Sequence, residues 1–83
     1  MTKQDIIDLY PDEDILFADG FDDAIIGIDT VGFRVVYSYE MIIEILMSCE
    51  DMTYEDAIDH YSYNIEGAYV GPQTPIYCRT HGD

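Results

Sequence analysis

Apolar positions along this chain fall into short groups whose spacing alternates between helical and extended. Ile6, Ile7, Leu9 and Tyr10 follow Thr2 and Asp5. A threonine with an acid three residues on forms a capping box, so a short helix is predicted from Thr2 to Tyr10 and stopped by Pro11. After the acidic run Asp12-Glu13-Asp14 come four apolar residues, Ile15 to Ala18. Asp19-Gly20-Phe21-Asp22-Asp23 has the composition of a turn, with Gly20 at positive φ. Ala24 to Asp29 is β-branched and apolar, and Phe33 to Tyr37 matches it across Thr30-Val31-Gly32. The two runs predict a β-hairpin. Gly27 inside the first marks either a bulge or a close approach by a helix.

The clearest helical signal begins after Ser38, a good N-cap, with Glu40 in the positive first turn. Tyr39, Ile42, Ile43, Leu46 and Met47 share one face as far as Cys49, and Met41 and Ile45 widen it. Thr53 and Asp56 repeat the capping pattern. They open a second helix with the stripe Tyr54, Ala57, Ile58, Tyr61 and Ile65, ended near Gly67. Ala68-Tyr69-Val70 reads as extended, Gly71 to Pro75 as a turn, and Ile76-Tyr77-Cys78 as a final edge strand. The expected fold is a small α+β domain over residues 1–83. It has a β-hairpin, two consecutive amphipathic helices on it, a short C-terminal strand, an N-terminal helix within 1–11 and a flexible tail at 79–83.

Composition adds a constraint that the pattern does not show. Eighteen acidic residues face three basic ones, for a formal charge of −15. With 48% apolar residues the chain is no acidic tail, and it holds a core, though a small one. A chain of this length folds into a body roughly 30 Å across. B-DNA of that length carries about 18 phosphate charges. A surface of this kind competes for a basic groove that holds nucleic acid, and itself repels DNA and anionic membranes. No apolar leader follows Met1, and no stretch has the length of a membrane span. Cys49 and Cys78 form no metal-ligand spacing, which argues against zinc and for reduced thiols, with a disulfide left open.

Glu55, Asp56 and Asp59 lie on one helical face and, with Asp12, Glu13 and Asp14, are the candidates for a phosphate-like surface. An ordinary solvated face is the competing reading. Tyr63 lies off the apolar stripe and is the candidate aromatic anchor, whereas Tyr54 and Tyr61 fit the core. Asp19, Asp22 and Asp23 are a weak candidate for a hard cation, since the EF-hand spacing is absent. His60 and His81 sit in no recognisable nucleophile motif, so an enzyme is not expected, and neither is a cofactor.

The segment from Asp19 to Gly27, DGFDDAIIG, resembles a group of small acidic proteins of tailed bacteriophages. Arg34 to Tyr37, Tyr39 to Met47, Met52 to Ala57 and Asn64 to Gly71 continue the likeness over about residues 15 to 78. The group has no assigned activity, so the resemblance implies a phage origin and action in the cytoplasm of an infected bacterium, and no site residues. The combined expectation is a non-enzymatic phage protein that blocks a basic nucleic-acid-binding surface of a host protein. The alternatives are a dimeric adaptor or inhibitor with an apolar interface, a homodimer among them, in which Met41 and Ile45 face the partner, or a divalent-cation-binding protein.

Overall fold

Thr2 and Asp5 close the capping box expected of them. Asp5 N–H donates to Thr2 Oγ1 at 3.1 Å, and Thr2 N–H donates to Asp5 Oδ2 at 2.9 Å. The second bond holds the Asp5 carboxyl below its ordinary range. A computed structural model, which describes residues 1–79, places helix α1 at Lys3–Leu9 behind this cap. Only Ile6 of α1 is fully buried, and Tyr10 beyond it meets the Phe33 ring edge-on at 5.4 Å. Ile7 and Leu9, expected as contacts, face outward because so short a helix offers the core one side. Residues 80–83 of the expected tail, His81 among them, lie outside the described residues.

A single 3₁₀ turn, Asp22–Ala24, leads into β1 (Ile25–Ile28), which pairs antiparallel with β2 (Val35–Ser38). Gly20 before it has φ +88°, as its turn requires. Ile25 faces Tyr37 but Gly27 faces Val36, so Ile26 is the extra residue of a β-bulge. A Cβ on Gly27 would meet nothing within 4 Å, so the glycine marks the bulge and no packed helix. Strand pairing stops short of the predicted ends because the Asp29 carboxylate organises the connection. It accepts from Val31 N–H at 3.0 Å and Gly32 N–H at 3.2 Å. Gly32 fits closely there: a Cβ would stand 3.0 Å from Asp29 Oδ2, so the carboxylate would have to shift from its place in the turn. Phe33 follows in the left-handed region at φ 55° and so belongs to the loop.

Ser38 is both the last residue of β2 and the N-cap of α2 (Tyr39–Cys49), accepting from Met41 N–H at 3.3 Å. The chain therefore passes from sheet to helix without a loop. Ile42, Ile43 and Leu46 of the predicted stripe are buried and Tyr39 is half-buried, but Met47 in the last turn is exposed; Asp51 follows the helix at φ 55°. Thr53 caps α3 (Tyr54–His60), which continues as a π-helical segment, Tyr61–Glu66. Ala57, Tyr61 and Ile65 are its buried residues. Side chains four apart drift by about 40° on an α-helical turn. The wider π turn reduces that drift and returns Tyr61 and Ile65 to one face. Gly67 closes the segment at φ −82°, without the left-handed conformation expected of a C′ glycine.

β3 (Ile76–Cys78) pairs parallel with β2, giving the order β1-β2-β3 with β3 at an edge, as expected. A parallel neighbour needs a crossover, and α2, α3 and the π segment supply it. Ala68 to Val70 forms no strand. The architecture is an α+β single domain with the core between the sheet and α2–α3.

Tyr37 stands at the middle of this core, fully buried on the central strand. Its ring stacks on Tyr77 at 5.7 Å, and its hydroxyl accepts from Ala18 N–H at 2.7 Å, tying the 15–21 strap across the sheet. Tyr37→Phe is expected to lower the unfolding free energy by about 1 to 2 kcal/mol in urea titration, because the Ala18 donor loses its partner. Adding NaCl to low-salt buffer is expected to raise Tm, since screening relieves repulsion within the carboxylate shell. A Tm that stays flat or falls would show that this repulsion does not limit stability.

Candidate functional site

The acids lie at the surface. Of the seventeen within residues 1–79, fifteen are exposed, and Asp29 and Glu40 are half-buried. Glu55 and Asp56 occupy the first turn of α3, where the helix dipole favours them, and Asp59 follows one turn later. Tyr63 projects from the π segment and is 85% exposed. These four positions share one helical rod. Asp12, Glu13 and Asp14 lie on a different element, the exposed turn after α1.

All three basic residues are engaged in the structure. Lys3 Nζ sits 5.0 Å from the centre of the Phe17 ring, and the Arg79 guanidinium lies 4.8 Å over Tyr39. Arg34 Nε donates to the Thr74 carbonyl. Seventeen acids less these three bases leave −14 on residues 1–79. The body measures 39 × 25 × 22 Å, longer than the expected 30 Å. Duplex DNA along the long axis would carry about 23 charges, so the protein has about three fifths of that linear density.

Asp19, Asp22 and Asp23 are not drawn together. Asp22 and Asp23 open the 3₁₀ turn, and among the described residues no group of three or more His, Cys, Asp or Glu could hold a metal ion. Cys49 and Cys78 are both free thiols. Among the described residues no helix is long and apolar enough to cross a membrane.

Two adjoining clefts were not foreseen from the sequence. The first, of about 410 Å³, lies between the 16–21 strap, the end of the π segment and the stretch up to Tyr77, and is lined mainly by apolar side chains including Leu16, Phe21, Ile65 and Val70. The second, of about 470 Å³, shares Asp19 and Phe21 with it and is bounded by Ile45, Cys49, Glu50 and His60. His60 and Cys49 thus face one cleft, but no hydrogen bond joins them; His60 Nδ1 lies 3.3 Å from Asn64 Nδ2 instead. Ile45 is half-buried on a cleft wall, while Met41 is 38% exposed. Tyr54, expected in the core, is 57% exposed: as the first residue of α3 it reaches only the rim of a shallow recess against Ile43 and Met47. The sequence signal for the first cleft was the pair of apolar runs at 15–18 and 68–70, which no periodicity assigned to the core.

Three phenols hold their protons more firmly than usual. Burial pushes Tyr37 up to about 12 and also raises Tyr77. Burial, then the neighbouring Glu66 carboxylate, raises Tyr61. No protein-family model matches the chain, and neither a curated protein nor a solved structure is significantly similar to it.

Each of these phenols has a folded pKa above the unfolded value of 10.0. Between pH about 10 and 12 the unfolded chain therefore releases protons that the folded chain keeps, so the contribution of these phenols to stability is fully present below this window and is lost within it. Part of the phenolate absorbance is expected to develop together with the loss of near-ultraviolet circular dichroism. Complete ionisation before that loss would show that the three rings are not sealed.

Proposed function

We propose that this chain is a non-enzymatic protein of a tailed phage that binds a host protein in the infected bacterium's cytoplasm. Its carboxylates occupy a basic surface that otherwise holds nucleic acid. The supporting observation is that all seventeen described acids reach the surface while the three bases are engaged with aromatic rings or the backbone. Glu55, Asp56 and Asp59, together with Asp12, Glu13 and Asp14, supply the charge, and Tyr63 offers a flat aromatic contact beside the helical acids.

A second reading, docking through apolar surface, is favoured by the 410 Å³ cleft and by the exposed Tyr69 and Val70 beside it. The two differ in their response to salt. Binding through carboxylates weakens steeply as salt rises, whereas an apolar contact barely responds.

Partners captured from bacterial lysate at low salt are expected to be basic nucleic-acid-binding proteins, to elute as salt rises, and to be displaced by duplex DNA. The triple variant Glu55→Lys, Asp56→Lys, Asp59→Lys is expected to weaken capture by roughly an order of magnitude or more. Undiminished capture by that variant, or capture insensitive to DNA, would count against phosphate mimicry.

A further inference from the structure

We propose that the cleft between the 16–21 strap and the Val70–Tyr77 stretch is a docking site for a partner's peptide segment in which apolar side chains are flanked by lysine or arginine. This rests on the reading above that the partner is a basic protein, and narrows its contact from a charged surface to a segment.

The floor of the cleft is apolar: Leu16, Phe21, Ile65, Ala68, Val70 and Tyr77 line it. Leu16 and Val70 remain 38% and 59% exposed, so apolar area is left for an occupant to cover. The volume, about 410 Å³, is in the range of sites that bind small ligands. The second cleft adjoins it across Asp19 and Phe21, so a segment leaving one enters the other, where Glu50 stands on the wall. Two linked recesses suit a chain of residues better than a single compact ligand.

Charge selects the occupant. Asp19 borders both clefts. Glu50 stands on the second, and the exposed Asp22 and Glu66 directly follow the lining residues Phe21 and Ile65 in the chain. An anionic ligand would enter against these carboxylates. A second copy of the chain would bring a formal −15 against −15. A cationic segment gains from the same field, and its apolar side chains gain from the floor.

The test titrates the full chain with a short synthetic peptide alternating Leu and Lys, followed by amide resonances. The peptide is expected to shift Leu16, Phe21, Val70 and Tyr77, and to bind roughly tenfold or more tightly than its counterpart with Ser for Leu. Leu16→Asp and Val70→Asp, each checked for a native circular-dichroism spectrum, are expected to remove that advantage; Val70→Ser replaces either variant that fails to fold. Equal binding of the Ser peptide, with shifts confined to Glu55, Asp56 and Asp59, overturns the cleft assignment and leaves the charged-surface reading standing. No binding of either basic peptide at low salt overturns both. A dimer that Leu16→Asp dissociates assigns the cleft to a second copy and overturns the proposal.

Discussion

A single phenol organises this small fold. Tyr37 lies on the central strand, between β1 and β3, with no exposed surface. Its ring fills the space between sheet and helices, and its hydroxyl needs a partner there because a buried polar group without one is costly. Ala18 supplies it at 2.7 Å, although 19 residues separate the two along the chain. That bond fixes the irregular strap between α1 and the 3₁₀ turn, which has few regular backbone partners of its own. The strap in turn forms one wall of the apolar cleft. The position of the candidate docking site therefore depends on a bond made inside the core.

The core reached in this way is lean. Apart from Tyr37 and Tyr61, its fully or nearly buried side chains are aliphatic, and the tyrosine rings meet edge-on or stacked between sheet and helices. Tyrosine suits a body this thin because each ring buries much apolar area while its hydroxyl reaches a hydrogen-bond partner or the edge. The basic side chains serve the same end: Lys3 and Arg79 lie over aromatic rings, and Arg34 holds the Thr74 carbonyl beside β3. The cations thus brace the fold, and the carboxylates form a shell of one sign. Repulsion within that shell opposes the compactness that the tyrosines and aliphatic residues produce. The same shell is what the proposed binding to a basic surface draws on.

Much of the fold was legible because several elements carry local determinants. Thr2 with Asp5, Ser38 with the stripe Ile42, Ile43 and Leu46, and Thr53 ahead of Ala57 each fix a helix start through groups only a few residues apart. The hairpin was legible for the same reason, whereas Gly27 left a bulge and a close approach by a helix both open until the strand register decided for the bulge. The outward charge of the candidate surface, including Glu55, Asp56 and Asp59, followed from composition and helical spacing. Tyr54 was misjudged because periodicity gives a face but not the depth of a helix end against its neighbour. The π segment was missed because Tyr61 and Ile65, four residues apart, fit an α-helical stripe almost as well.

The sequence by itself determined the three α-helix starts, the hairpin and a surface dominated by carboxylates, since all of these depend on neighbours within a turn or on residue counts. Tertiary structure alone decided the parallel pairing of β3 with β2, the anchoring of the strap through Tyr37, and the cleft that the strap creates. Those features join residues far apart in the chain, such as Ala18 to Tyr37 and Leu16 to Val70. No local preference encodes them; they arise when a limited apolar supply must be buried around one central strand.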